Sequence, residues 1–303
     1  VSNSDWHESQ LVEDRLPLRR DLDTVAPETP VVLVRGGHEY ILNSAALAHW
    51  GITTATPVPP GGEVSRYDDG ELNGELVDTA KALATLPPPA ERTRDQQIED
   101  LLAEHAALNA AGLTSIRYGA MGPPQYRLLE EMRQRGVLTM RVSALLGGPR
   151  GPQASAEEVR STIEAFGLAP DDGDEWLRPA GVKLMVDGGY EGGLMREPYE
   201  EPYGKGGTFR GLQVTPRESY VEIVKEINRL GWRPGTHAVG DDAVEQVIAA
   251  YEAAHAETSI VGRRWVLEHG FLPSPGHFER MNALGIALTA QHHPYVGGPA
   301  MVR

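Results

Sequence analysis

The chain predicts an α/β fold: a parallel sheet curled into a (β/α)8 barrel of the TIM type, incomplete as written, with a small α/β lobe ahead of it. Three observations lead there. After residue 90, helical and strand-like segments alternate, the pattern of a parallel sheet covered by helices. Gly112, Gly136, Gly231 and Gly285 stand just before strand segments, where a helix ends on a left-handed residue. His237 and His269 each fall where an apolar run closes and Lys183 lies inside a third such run, and all three are expected at the C-terminal ends of strands, where a parallel barrel collects its reactive groups.

Taken in order, residues 1–90 supply the lobe: a strand at 31–35, a short helix at 44–49 and a turn-rich stretch at 57–62. The acidic segment 68–75 reads as a solvated turn and hairpin without chemistry, and Pro87-Pro88-Pro89 closes the lobe. Residues 91–303 supply the barrel. A helix at 93–111 leads into a strand at 113–117, and one at 124–135 into 138–146. A helix at 156–166 precedes the lysine-bearing strand at 181–189; helices at 217–230, 242–256 and 275–283 then lead into strands at 233–239, 265–268 and 286–290. These units fit an unfinished eight-stranded barrel or an open doubly wound sheet. The chain has no Gly-rich dinucleotide fingerprint, phosphate loop, nucleophile elbow or His-Glu-x-x-His helix, which demotes the open nucleotide-binding sheet.

Composition narrows the function. A chain of 303 residues can bury a large core. Its formal net charge of -15, without a dense basic run, argues against nucleic acid or an anionic membrane as partner. With no cysteine, any metal must be held by histidine, carboxylate or a modified lysine. No charged-then-apolar leader opens the chain, so a cytoplasmic protein is expected. The first residue is Val rather than Met, which leaves a removed leader open.

Only Lys81, Lys183, Lys205 and Lys225 are lysines among the 28 Lys plus Arg, and Lys183 sits inside an apolar run. A buried ammonium is costly unless it is paired, neutralised by a lowered pKa, or converted to a carbamate that bridges metals. Ion pairing with Asp187, expected on the same strand face, is the plain alternative. Thr236-His237-Ala238-Val239-Gly240-Asp241 and Leu267-Glu268-His269-Gly270 place histidines at two further strand ends. For each of these, a hydrogen-bonded core histidine is the alternative to a metal ligand.

The whole set resembles the amidohydrolase superfamily, in its type 3 branch with N-substituted formamide deformylase-like proteins. The resemblance rests on Asp14-Arg15-Leu16-Pro17 with Asp21-Leu22-Asp23, Gly37-His38 followed by Asn43-Ser44-Ala45-Ala46-Leu47, and Gly112-Leu113-Thr114-Ser115. It continues through Val182-Lys183-Leu184 with Asp187-Gly188, His237 to Asp241, and Glu268-His269. It implies a distorted (β/α)8 barrel and one or two divalent ions, zinc first among them, that activate water to cleave a C–N bond. Residues 1–90 become a lobe inserted over the barrel mouth, and Lys183, His237 and His269 the metal ligands. The family's His-x-His on the first strand and proton-shuttling Asp on the last are not in this sequence. The chain is therefore expected to cover about strands 2 to 7, as a fragment, as a barrel completed elsewhere, or as one that no longer catalyses.

Around that centre, His38 is expected to contact substrate or to be an ordinary loop residue. Asp187 is expected as an acceptor that orients a ligand, and Asp241 first of all as a helix N-cap. Tyr190 lies in the glycine-rich run 188–193, a mobile substrate loop or else a long surface turn. Gln291, His292 and His293 end the last strand, and one of them is expected to line the pocket, Gln291 by preference; His292 or His293 as a metal ligand is the less favoured reading. The expected function is hydrolysis of a small linear amide, such as an N-substituted formamide. A non-catalytic barrel and a metal-free lyase using Lys183 as a Schiff base are the rivals. Unclosed strand edges leave homo-oligomer formation open.

Overall fold

The computed structural model describes residue 8 and residues 11–88, 91–170, 172–189, 192–200 and 204–291. Its first part is a four-stranded antiparallel sheet of β1 (Val32–Arg35), β2 (Glu39–Leu42), β3 (Gly62–Arg66) and β4 (Leu72–Asp78), in the order β1-β2-β4-β3. Two short helices, α1 (Arg19–Val25) and α2 (Ser44–His49), lie beside it. Val32, Leu42, Leu47, Leu72, Leu76 and Ala80 form a cluster of their own.

One polar residue fastens this part. Asn43 is fully buried; its Oδ1 accepts from the backbone of Val31 and Ala46, each at 2.9 Å, and its Nδ2 donates to the carbonyls of Ala26 and Thr29. It thereby caps α2, as short amide side chains do. Asp23 accepts from Ser44 N–H at 2.8 Å and from its hydroxyl at 2.6 Å. Two pieces of the motif set, Asp21-Leu22-Asp23 and Asn43-Ser44, thus hold α1 against α2.

The second part is a curled, half-barrel sheet of six parallel strands in sequential order: β5 (Ser115–Met121), β6 (Arg141–Gly147), β7 (Leu177–Met185), β8 (Pro234–Ala238), β9 (Val266–His269) and β10 (Ala287–Thr289). Its helices are α3 (Arg94–Ala110), α4 (Pro123–Gln134), α5 (Ala156–Phe166), α6 (Arg217–Arg229), α7 (Asp241–Glu257) and α8 (Pro275–Leu284). Each expected helix is present, its limits within one residue of the expected ones. Thr93, Ser155 and Ser274 cap α3, α5 and α8 through their hydroxyls. Apolar residues at helical spacing, such as Tyr220, Ile223, Val224 and Ile227 of α6 and Val244, Val247, Ile248 and Tyr251 of α7, bury one face against Val182, Leu184, Ala238 and Leu267. Behind β8, the Tyr220 hydroxyl donates to Thr236 Oγ1 at 2.9 Å, and the Tyr251 hydroxyl to the Val266 carbonyl at 2.8 Å. No helix among the described residues is long and apolar enough to cross a membrane.

The lysine strand departs most from expectation, running from Leu177 to Met185 rather than over 181–189. Val186 N–H still donates to His237 O of β8 at 3.2 Å, and beyond it the backbone leaves the sheet. Val186 O accepts from Val214 and Thr215, and Asp187 pairs with Gln213 in an isolated antiparallel bridge. Within the strand, Ala144 pairs with Pro179 but Leu145 with Gly181, so Ala180 is an extra residue in the ladder. Such a bulge reverses the in-out alternation of everything beyond it. Leu177 faces the helix-side core before the bulge, and Val182 and Leu184 face it after. Lys183 is thereby turned to the opposite face, the barrel interior.

Gly181 carries the bulge. Its φ of +143° suits glycine, and a Cβ there would lie 2.4 Å from the Arg233 carbonyl oxygen. Gly181→Ala is expected to destabilise the protein by at least ~2 kcal/mol, the sum of backbone strain and a clash with main chain that cannot move aside. Urea unfolding of the two proteins checks this; a change within ~0.5 kcal/mol, the usual range of a neutral surface substitution, would contradict it.

Candidate active site

Parallel pairing stacks the three predicted residues at one end of the sheet. Met185 is in register with His237, and Ala238 with His269; Lys183 lies opposite Gly235, two residues before His237. The His237 and His269 rings meet edge to face with centroids 4.5 Å apart. Burial pushes the His237 imidazolium well below the usual histidine range, helped by the neighbouring His269. Burial likewise lowers His269 to about 4, with Lys183 adding to the effect. Burial also lowers the Lys183 ammonium, to about 8, against the opposing pull of Glu268.

Hydrogen bonds fix which nitrogen of each ring is open. His237 Nε2 lies 2.9 Å from the Gly188 carbonyl, which can only accept, so Nε2 carries the proton and Nδ1 keeps its lone pair. His269 Nδ1 lies 2.6 Å from Gln291 Oε1, leaving its Nε2 open. His269 also closes β9 in the left-handed region at φ +71°, an unusual backbone for a histidine. Two adjacent neutral imidazoles and a buried amine fit the donor set that the resemblance implies. Among the described residues, no three of His, Asp and Glu come together as a ready-made metal cage.

Asp187 does not pair with Lys183. The strand ends before it, and its fully buried carboxylate turns toward β8 instead. It accepts from the backbone of Val239 at 3.0 Å, Gly240 at 2.8 Å and Leu194 at 2.9 Å, and stands 3.6 Å from His237 Nε2. Burial raises its pKa to about 7 in spite of these donors, and nearby Asp78 adds to the rise. Gly188, Gly189, Gly192 and Gly193, the described residues of the glycine-rich run, are buried.

Asp241 is not the N-cap of α7; Gly240 is, and Asp241 Oδ1 accepts from the Arg196 backbone at 2.9 Å. Gln291 reaches the centre through His269. Tyr190, His292 and His293 lie outside the described residues.

Two pairs went unread in the sequence. Arg117 of β5 pairs with Glu268 of β9 across the barrel interior, and the Thr289 hydroxyl donates to the same carboxylate. Gly235 makes room for them: a Cβ there would be 2.8 Å from Glu268 Oε1 and 2.9 Å from an Arg117 guanidinium nitrogen. The signal was available, since Trp265 and Leu267 face the helices and Glu268 must then face inward. The second pair is His38, in the β1–β2 turn, with Asp78 at the end of β4; His38 Nδ1 and Asp78 Oδ1 are 2.6 Å apart. The His38 ring stands 5.4 Å from that of His237, centroid to centroid.

Comparison with known proteins gives this geometry a family. The sequence matches the Amidohydrolase family (Amidohydro_3) over residues 1–303. It is 28% identical over 294 residues to the N-substituted formamide deformylase of Arthrobacter pascens, covering 96% of this chain and 53% of that protein. Protein LONG AFTER FAR-RED 3 of Arabidopsis thaliana is 28% identical over 290 residues, covering 91% of this chain and 47% of that one. Among solved structures, an uncharacterized metal-dependent hydrolase from Pyrococcus furiosus superposes with a TM-score of 0.61 at 26% identity, covering 96% of this chain and 56% of the other. The chain spans about half the length of the curated relatives it matches. It belongs to the amidohydrolase family, whose hydrolase chemistry implies a divalent metal.

Proposed function

We propose that this protein hydrolyses a non-peptide C–N bond in a small linear amide, with an N-substituted formamide as first candidate. His237 and His269 hold a divalent ion, zinc first, and Lys183 joins them as a carbamate. The observation that carries this reading is the pair of adjacent imidazoles at neighbouring strand ends, each with one nitrogen tied and the other open. Residues 1–90 form a lobe over the barrel mouth.

The chain's own residues prepare the site. A lowered ammonium pKa leaves part of Lys183 as the free amine at neutral pH, and only the free amine adds carbon dioxide. Among the described residues its nitrogen is engaged in no hydrogen bond or ion pair. Arg117 and Glu268 are paired with each other and act on Lys183 in opposite senses, Glu268 favouring its ammonium and Arg117 opposing it. Asp187 holds the backbone of Val239 and Gly240 against Leu194, fixing the turn behind His237. Gly188 O and Gln291 set the two tautomers, as partners of metal-bound histidines do. Bound there, a divalent ion supplies Lewis acidity to water and to the scissile carbonyl. The proton-transferring carboxylate that the family places on its last strand is not assigned to any residue of this chain.

Two imidazoles and a lysine that must first be modified make a weak site by themselves. The 303-residue chain alone is expected to hold less than one equivalent of metal and to turn over formyl amides poorly. A longer protein supplying a His-x-His strand and a further carboxylate should do both. Elemental analysis and a formyl-amide panel test the two forms, and strong turnover by the short chain would require another base from within it.

The neutral imidazoles also predict acid lability. Free histidine titrates near 6.5, whereas His237 is held well below that and His269 at about 4. The unfolded chain therefore takes up protons that the two folded histidines refuse, so their contribution to stability is full above about 6.5 and is lost as pH drops through about 4, while Asp187, raised to about 7, acts in the opposite sense over the same range. His269→Asn should flatten this fall in thermal melts of the metal-free protein. An unchanged slope would show that His269 is not held neutral.

A further inference from the structure

His38 and Asp78 form a built pair that the proposed chemistry has not used. Asp78 is strained and enclosed: its φ is +48°, unusual for a non-glycine residue, and its side chain is 4% exposed. It grips the β1–β2 turn twice, through its backbone N–H to His38 O at 2.7 Å and through Oδ1 to His38 Nδ1 at 2.6 Å. Its other oxygen, Oδ2, is buried without a hydrogen-bond partner.

The pair stands directly on the glycine-rich turn of the site. A Cβ at Gly188 would be 2.4 Å from Asp78 Oδ2, and one at Gly189 would be 2.9 Å from the His38 ring. Those glycines let a lobe residue approach the centre where any side chain would keep it off. A carboxylate oxygen accepts, so Asp78 fixes the proton of His38 on Nδ1. Nε2, turned away from Asp78 by the geometry of the ring, keeps its lone pair. The His38 side chain is 28% exposed, against 8% for that of His237 beneath it. Of these two rings, His38 is the one that solvent and a small molecule reach.

We propose that His38 Nε2 accepts a hydrogen bond from the substrate, and that its donor is the N–H of a secondary amide. This role presupposes the amide hydrolase function proposed above and selects its substrate class. An N-monosubstituted amide can donate to Nε2; an N,N-disubstituted amide has no N–H to give and would bury the lone pair unpaired. Asp78 is a positioning residue that acts through the tautomer and orientation of the ring.

The test compares N-butylformamide with N-butyl-N-methylformamide in the metal-loaded longer protein, the one that supplies the His-x-His strand and the further carboxylate; every form below, wild type included, is of that length. His38→Ala is expected to lower kcat/KM for the secondary amide about tenfold and to leave the tertiary amide within about twofold, with metal content unchanged. His38→Gln, whose amide oxygen reaches near the Nε2 position, should recover part of the loss. Asp78→Asn should lower the secondary amide selectively. Equal losses on both amides, or none on either, would overturn the proposal. So would loss of metal or of fold in both His38 variants, which would assign His38 to the architecture of the site. A wild-type protein that binds metal but turns over neither amide would overturn the hydrolase function itself, a result distinct from any of these.

Discussion

The bulge in β7 is the constraint on which the rest depends. A strand alternates its side chains strictly, so a lysine amid core residues faces either the helices or the barrel interior, and a single extra residue decides which. Ala180 is that residue, and Gly181 is the position whose backbone permits it. Beyond it Val182 and Leu184 return to the core while Lys183 turns inward. There it meets the field of Glu268 and Arg117 and lies near His237 and His269. The Pro179 that sits in this central strand is tolerated for the same reason, since bulges are where a missing N–H does least harm.

A second layer of order comes from backbone groups rather than reactive side chains. Asp187 joins the ends of β7 and β8 by accepting from three peptide N–H groups. Gly188 then offers its carbonyl to His237, and the same turn receives Asp78 and His38 from the first sheet. The two sheets thus meet at a few residues packed too closely for any side chain larger than glycine. Burial there holds both barrel histidines neutral, the form in which imidazole can bind a metal.

Much of this could be read from the residues alone, because helix-strand alternation and helix-ending glycines are local signals. Gly112, Gly136 and Gly231 each follow the end of a helix with positive φ, and Gly285 is itself the cap of α8. Lys183, His237 and His269 were legible because strand ends in a parallel barrel are predictable places. What escaped was long-range or a matter of register. His38 and Asp78 are 40 residues apart and meet only because β2 pairs with β4. Arg117 and Glu268 are 151 apart and meet only because the sheet curls. Asp187 was wrongly placed on the strand face of Lys183, because alternation was extended past the point where the strand stops. Asp241 was misjudged as a cap because α7 begins one residue earlier than its acidic start suggested.

The central claim is that the open nitrogens of His237 and His269 share one divalent ion. Diffraction at the zinc absorption edge from the zinc-loaded longer protein, with the His-x-His strand and the further carboxylate present, tests it most directly. The account predicts an anomalous peak about 2.0–2.1 Å from His237 Nδ1 and His269 Nε2, the normal zinc–imidazole distance, with density at Lys183 Nζ for a carbamate. A peak elsewhere on the barrel, or no peak with both rings still bonded to Gly188 and Gln291, would contradict it.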